Sequence, residues 1–169
     1  MSEPPLKVAA STLLTDVSWI ARMPIAEACV IESGAACNED VKSWRHYDLD
    51  KTLPIASDHL CLSLPVDRYR SLEPTILKFR KRTIHFTAGE ILDHIHRFYC
   101  AAMTKDELER VAKTDDVFGY ARRAQDALAN NTVLYREQVM GDCMYFEGLK
   151  LDAAQSAPVL PTYSVLFGS

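Results

Sequence analysis

The hydrophobic residues between positions 87 and 103 recur every three or four residues, which is the spacing of an amphipathic helix that buries one face. The apolar stripe is formed by Ile91, Ile95, Phe98 and Ala102. Thr87 and Glu90 stand where a capping box needs them, since each side chain then accepts a hydrogen bond from the other residue's N–H. We therefore predict a helix over residues 87–103 and expect it to be the core helix.

Two further helices are predicted after this one. Thr104 and Glu107 form a second capping box before a short helix that carries Leu108 and Val111. A third helix is predicted to open at Asp115-Asp116 and to end at the Asn130-Asn131 turn. Its apolar side would consist of Val117, Tyr120, Ala121, Ala124 and Leu128.

Segments rich in aromatic, branched and alternating apolar residues predict strands on both sides of the helices. Before the helices, Leu60, Leu62 and Leu64 alternate with period two, and residues 75–86 predict an edge strand or two extended pieces. A short strand or helical turn is expected around residues 26–31. After the helices, strands are predicted at residues 132–136, 143–146 and 163–167, with turns at Gly141 and Gly148.

The spacing of proline divides the chain into two parts. Residues 1–75 are interrupted by Pro4, Pro5, Pro24, Pro54, Pro65 and Pro74. Proline restricts its predecessor and lacks an N–H, so this part is predicted to be irregular and available to wrap a partner. Residues 76–169 are predicted to form an α+β core domain. In it, the core amphipathic helix and one or two further helices pack on a small, mostly antiparallel sheet.

Composition narrows the class of protein. The 169 residues are 48% hydrophobic and 25% charged, which is ordinary for one globular domain with its own core. A net charge of -4 argues against nucleic-acid binding over the whole surface. The five scattered cysteines form no CxxC pair and favour a reducing compartment. The chain has no signal-peptide pattern and no run of roughly 18 apolar residues. We therefore expect an intracellular protein that is located in the cytoplasm, in the nucleus or in a particle.

Asp93, His96 and Cys100 are the first candidates for chemistry. Their spacing places all three on one stripe of the predicted core helix. A Cys–His pair can form a nucleophile, and the three residue types can bind zinc, which leads to the hypothesis of a Cys/His- or zinc-dependent hydrolase. A fourth zinc ligand would have to come from Cys61, His85 or Cys143. The favoured interpretation is structural, with Cys100 as a small hydrophobe and Asp93 as a solvated charge.

Lys78, Arg80 and Arg82 form a second candidate group. On an extended strand they lie on one side and present a row of cations, which suits nucleic acid or another anion. Phe79, between two of them, could stack on a base. Charged residues are also typical of a sheet edge without any ligand, and this interpretation is favoured.

The remaining motifs lower the expectation of an enzyme. Asp142 and Glu147 could act as paired carboxylates, but on one strand their odd separation sends them to opposite faces. The chain has no phosphate-binding glycine loop, nucleophile elbow or H-E-x-x-H pattern. We therefore expect no cofactor and no bound metal, and we favour a protein without enzymatic activity.

The C-terminal part carries a resemblance. Its motifs are Met140-Gly-Asp-Cys-Met-Tyr-Phe-Glu-Gly-Leu149 and Tyr163-Ser-Val-Leu-Phe-Gly-Ser169, preceded by the helix segment of residues 90–99. Together they resemble small uncharacterised proteins of large nucleocytoplasmic DNA viruses, which have relatives in some algae and fungi. The resemblance covers about residues 75–169. It implies no activity, and it suggests a role in a virion or viral factory.

The leading hypothesis is a non-enzymatic structural or protein-interaction component, of minor capsid or scaffold type if it is virion-associated. It predicts a protein partner or a homo-oligomer, with weak nucleic-acid binding as an alternative. The residues expected to build its packing motif are Ile91, Ile95, Phe98, Tyr145 and Phe146.

Overall fold

A computed structural model describes residues 12–30, 46–55, 57–67, 72–81, 85–115, 119–142, 144–153 and 160–168. The described residues form seven strands and four α-helices. The strands are β1 Thr12–Leu13, β2 Val17–Ile20, β3 Cys29–Val30, β4 His59–Leu64, β5 Thr75–Arg80, β6 Tyr145–Leu151 and β7 Thr162–Gly168. The helices are α1 Ala88–Tyr99, α2 Lys105–Val111, α3 Tyr120–Asn130 and α4 Arg136–Met140, and a single 3-10 turn spans Ile25–Glu27. The predicted α+β class is confirmed.

The strands join into one sheet with the order β3-β2-β6-β7-β4-β5, and β1 pairs separately with β6. Neighbouring strands are antiparallel except for β4 and β7, which are parallel. The sheet is therefore mostly antiparallel, as predicted. The described helices are all too short or too polar to cross a membrane.

The first 75 residues contribute β1 to β4 to this sheet. The predicted division at residue 75 therefore falls inside a single sheet. Cys61 and Ser63 are 2% and 5% exposed, so the predicted half-buried alternation of β4 is wrong. Side chains on both faces of β4 are therefore buried, rather than those on one face. Whether part of this segment wraps a partner stays a prediction.

Helix α1 begins at the predicted capping box, where the Glu90 N–H donates to Thr87 Oγ1 and the Thr87 N–H donates to Glu90 Oε2. Its apolar stripe of Ile91, Ile95 and Phe98 is buried. The helix ends at Tyr99 rather than at residue 103, and Ala102 is exposed. Ala102 instead forms an isolated bridge with Tyr135, since the chain turns there toward α2.

Aromatic contacts show how α1 crosses one face of the sheet. The ring of His94 lies 4.2 Å from that of Phe79 in β5, and the ring of Tyr99 lies 5.2 Å from that of Phe167 in β7. His96 in turn lies 6.3 Å from Trp19 in β2. Opposite sides of α1 therefore face the β5 edge and the β2 side, and the Lys81–Glu90 contact places its first turn beside the end of β5.

The remaining helices pack around a second hydrophobic cluster. The second predicted capping box is confirmed, with Thr104 and Glu107 bonded reciprocally at the start of α2. The third helix begins at Tyr120, later than predicted, because Gly119 adopts a left-handed conformation (φ 79°). The cluster contains Val66, Met103, Leu108, Val111, Ala124, Ala127, Leu134 and Val139. Asp116 and Val117 lie outside the described residues.

Three predictions about the C-terminal part are wrong. Residues 132–136 lead into helix α4 rather than a strand, because the Gln138 side chain accepts from the Tyr135 N–H and starts a helix. Gly148 lies inside β6 at a bulge, with φ 122°, rather than at a turn. Tyr145 is 49% exposed, whereas Phe146 is 2% exposed and packs against Trp19 and Phe167. Successive strand residues point to opposite faces, so only one of the pair reaches the core.

Candidate functional site

Strand β5 lies at one end of the sheet and pairs with β4 along all six of its residues. Its exposure alternates: Ile76, Lys78 and Arg80 are exposed, and Leu77 and Phe79 are partly covered. The predicted edge strand is therefore confirmed over Thr75–Arg80, while residues 82–84 of the predicted segment lie outside the described residues. In the part of the chain that the structure describes, β5 has β4 as its single strand neighbour.

The outer edge of β5 presents backbone groups that β4 does not use. The Lys81 N–H donates to the Asp58 carbonyl at 2.8 Å, which makes that pair a hydrogen-bonded pair. In an antiparallel ladder, hydrogen-bonded and non-hydrogen-bonded pairs alternate. It follows that Ile76, Lys78 and Arg80 direct their N–H and C=O groups away from β4. We call this row of three residues the β5 edge.

The β5 edge is positively charged. Lys78 and Arg80 lie on the same face of the strand, and the Arg80 side chain is 76% exposed. Arg80 Nε lies 3.9 Å from Asp58 Oδ2, a long contact that leaves most of the guanidinium open. Asp58 is already bonded to His59 at 2.6 Å, and this bond lowers the pKa of the Asp58 carboxyl. Arg82, the third predicted cation, lies outside the described residues.

A cleft of about 330 Å³ lies between β5 and the start of α1, lined in part by Phe79, Phe86 and His94. Lys81 also lines this cleft. Its charge is balanced by Glu90, because the Lys81 Nζ donates to both Glu90 carboxylate oxygens, at 2.5 and 2.7 Å. Burial alone would raise the pKa of Glu90, but the hydrogen bonds from Lys81 and Thr87 hold it below its usual value. The cleft therefore has an aromatic wall of Phe79, Phe86 and His94 and a balanced Lys81–Glu90 pair, with Lys78 and Arg80 in the rest of its lining.

His94 covers one face of Phe79. The two rings are 4.2 Å apart and inclined by 33°. Burial lowers the pKa of His94, so the neutral imidazole is favoured and stacks as an aromatic ring. The predicted use of Phe79 as a stacking platform for a base is therefore restricted, since its ring already has a partner inside the protein.

The structure brings His96 and Cys100 together but not Asp93. Cys100 Sγ lies 3.6 Å from His96 Nδ1, whereas Asp93 is bonded to Arg97 Nε at 2.8 Å. His96 Nδ1 also lies 3.0 Å from the Ala21 carbonyl, which accepts but cannot donate. When Nδ1 donates to this carbonyl, the remaining ring lone pair is on Nε2, which lies 3.9 Å from Cys100 Sγ, beyond the usual distance for proton abstraction.

The environment of Cys100 also opposes activation. Burial raises the pKa of its thiol, and the charge of Glu137 raises it further. Reactive cysteines need the opposite shift, from nearby cations or a helix N-terminus. Among the described residues there is no cluster of three or more His, Cys, Asp or Glu side chains placed to hold a metal ion. Cys143 is not among them.

The two predicted paired carboxylates, Asp142 and Glu147, lie in different elements of the fold. Asp142 lies in the turn between α4 and β6, and Glu147 lies on β6, where its side chain extends over Gly168 of β7. The geometry gives this pair no shared substrate position.

Sequence reasoning missed two features beside these candidates. One is the Lys81–Glu90 pair, although the capping position of Glu90 already required its carboxylate to turn back toward the strand. The other is a buried ion pair between Glu107 and Arg136, two residues far apart in the sequence. No local pattern could have indicated that contact.

Comparison of the chain with protein-family models, curated proteins and solved structures gives no match.

Proposed function

We propose that the protein is a non-enzymatic interaction component that binds an extended segment of a partner protein along the β5 edge. One observation carries this proposal: β5 is a regular six-residue strand whose outward N–H and C=O groups meet no other described strand. An added strand satisfies such groups directly, and this is a recurrent mode of peptide recognition. Edge strands that serve no partner are commonly short, bulged, covered or charged, and β5 is charged but neither short nor bulged.

Two features of β5 fit this role. Its register with β4 is continuous over six residue pairs, so the edge is regular enough to template another strand. Exposed Ile76 begins the edge, and Lys78 and Arg80 continue it. The charges keep the edge soluble and discourage pairing between two copies of the protein.

The hydrolase alternative has weaker support. It needs an activated thiol, whereas burial raises the pKa of Cys100 and His96 Nδ1 lies within hydrogen-bond distance of the Ala21 carbonyl oxygen, at 3.0 Å. Nucleic-acid binding retains the exposed Lys78 and Arg80 but loses one face of Phe79 to His94. The resemblance of residues 75–169 adds a setting to the proposal: the partner would be a component of a virus particle or viral factory.

A random peptide library displayed on phage tests the proposal against three forms of the protein. Ile76→Pro removes one outward N–H without changing charge and leaves the β4 bonds intact, because proline is tolerated on an edge strand. Ile76→Thr is the matched control, since it keeps both the N–H and β-branching. Peptides selected by the wild type should bind the Ile76→Thr protein equally and lose at least about tenfold in affinity for the Ile76→Pro protein.

Circular dichroism and thermal unfolding must show that both variants fold. Selected peptides that bind a folded Ile76→Pro protein as tightly as the wild type would overturn the proposal. Failure to select any binding peptide from a diverse library would also count against it.

A further inference from the structure

We infer that the β5 edge selects an acidic segment in which two carboxylates stand two residues apart and flank one large apolar side chain. This inference rests on the proposed function and names the chemistry of its partner. The carboxylates would lie opposite Lys78 and Arg80, and the apolar side chain would enter the cleft beside Phe79.

The carboxylate positions follow from the register of an added strand. Lys78 and Arg80 direct their backbone groups outward, so each would form a hydrogen-bonded pair with one residue of the partner. Paired residues project their side chains to the same face, with Cβ atoms roughly 5.5 Å apart. Both cations are exposed. Opposite charges two residues apart on the partner therefore meet both of them at once.

The apolar position follows from the same alternation. The partner residue between the two carboxylates projects to the other face, which is the face of Phe79 and of helix α1. There it meets the cleft of about 330 Å³ with Phe86 and His94 in its wall. Glu90 is already paired with Lys81 there, and Lys78 and Arg80, which also line the cleft, are the cations that the two flanking carboxylates would meet. A large apolar side chain fits this wall better than a charged one.

A second copy of the chain is a poor occupant of the β5 edge. Pairing β5 with β5 would place Lys78 and Arg80 of one copy near the same cations of the other, which destabilises a strand pair. A polynucleotide would satisfy the cations with phosphates but would find Phe79 stacked on His94.

Three short peptides with identical flanking residues test the inference by fluorescence anisotropy. Their centres are Glu-Leu-Glu, Glu-Ser-Glu and Lys-Leu-Lys. The Glu-Leu-Glu peptide should bind the full chain at least about tenfold tighter than either of the others. Its affinity should fall as salt is added, because the paired charges are exposed.

A charge swap tests which residues of the protein determine the preference for acidic peptides. The double variant Lys78→Glu/Arg80→Glu should reverse the preference and bind Lys-Leu-Lys tighter than Glu-Leu-Glu. The matched control, Lys105→Glu/Arg122→Glu, changes the net charge equally at exposed helix positions and should keep the wild-type preference. Thermal unfolding of each variant shows that it is folded.

The outcomes separate this inference from the proposed function. Equal binding of Glu-Leu-Glu and Lys-Leu-Lys, or an unchanged preference after the charge swap, would overturn the acidic segment, even if other peptides still bind the edge. Equal binding of Glu-Leu-Glu and Glu-Ser-Glu would overturn the apolar position. A single-stranded oligonucleotide is the remaining comparison. If it binds the wild type tighter than every peptide does, and if the charge-swap variant does not bind it, the β5 edge is a nucleic-acid site and the inference is overturned.

Discussion

At the scale of single residues, the Glu107–Arg136 ion pair is a buried contact whose two charges both need hydrogen-bond partners. The Arg136 guanidinium donates from Nε and Nη2 to the two Glu107 oxygens at 3.0 and 2.9 Å, and from Nη1 to the Phe98 carbonyl at 3.1 Å. The side chains are 10% and 5% exposed. Charges this far from water persist only when they are paired and fully hydrogen-bonded. The pair thereby joins α2, α4 and the end of α1.

We predict that Arg136→Met lowers the free energy of unfolding by about 3–5 kcal/mol, because it leaves the Glu107 carboxylate buried without its partner. The control is Arg97→Met, which breaks the exposed pair with Asp93 and should cost less than about 1 kcal/mol. Urea denaturation measures both values. Equal losses in the two variants would contradict the proposed importance of burial.

The same pair predicts a pH dependence. Burial alone would raise the pKa of Glu107, but hydrogen bonds from Arg136 and Thr104 hold it below its ordinary value of 4.5. A carboxyl with a depressed folded pKa stabilises the fold fully above its unfolded pKa and loses this contribution as pH falls through the folded pKa. The stability difference between wild type and Glu107→Gln should therefore be constant above pH 4.5 and shrink below it. A difference that grows on acidification would be inconsistent with this assignment.

Cys100 should behave as an unreactive thiol. Because burial raises its pKa, the rate of alkylation by iodoacetamide should reach half of its maximum only above pH 9.0, the ordinary thiol value. Peptide mass mapping follows Cys100 separately from the other cysteines, and Cys100→Ser identifies the signal. A midpoint near neutral pH would revive the hydrolase hypothesis.

At the scale of elements, sequence patterns predict what local interactions decide. Both capping boxes are correct because Thr87 and Glu90, like Thr104 and Glu107, lie within one helical turn of each other. The prediction of a strand at residues 132–136 is wrong because tertiary contacts determine the local structure there. Arg136 is drawn to Glu107, and Gln138 caps a helix that the β-branched and aromatic residues before it do not indicate.

The bulge in β6 is another feature that the sequence pattern does not indicate, and it leads to a prediction about Gly148. Gly148 has φ 122°, and a Cβ there would lie 2.9 Å from the Leu13 carbonyl oxygen. Gly148→Ala should therefore destabilise the protein by about 3 kcal/mol or more, combining backbone strain with overpacking. Gly119→Ala is the matched control, since Gly119 has φ 79° but open space around it.

Backbone strain alone should cost the Gly119→Ala protein about 1–2 kcal/mol. Thermal unfolding of both proteins compares the two glycines directly. A Gly148→Ala protein as stable as the control would show that β1 moves away at no cost.

At the scale of the whole molecule, strand β7 holds the sheet together. It is antiparallel to β6 on one side and parallel to β4 on the other, so it joins the β3-β2-β6 half to the β4-β5 half. The β4–β7 pairing links distant parts of the chain, which explains why the sequence predicts the class and the edge strand but not the strand order. The cleft beside β5 escapes prediction for the same reason, since β5 and α1 together form it.

Removal of residues 162–169 should abolish cooperative unfolding, because β4 and β6 lose their shared neighbour and Phe146 and Tyr99 lose their contacts with Phe167. Near-UV circular dichroism during heating measures this loss. A synthetic peptide of residues 160–169 should restore the signal in trans. A shortened chain that still melts in one sharp transition would contradict this role of β7.

The position of β7 also sets the order of events while the chain is made. Strand β2 leaves the ribosome about 125 residues before its sheet partner β6 begins, which is roughly 6–25 s at ordinary rates of synthesis. During that interval β2 has the two-residue β3 as an available partner, and the Trp19 ring lacks its contact with Phe146. Strand β4 likewise waits for β7. The nascent chain therefore offers chaperones a long window before the last strand closes the sheet.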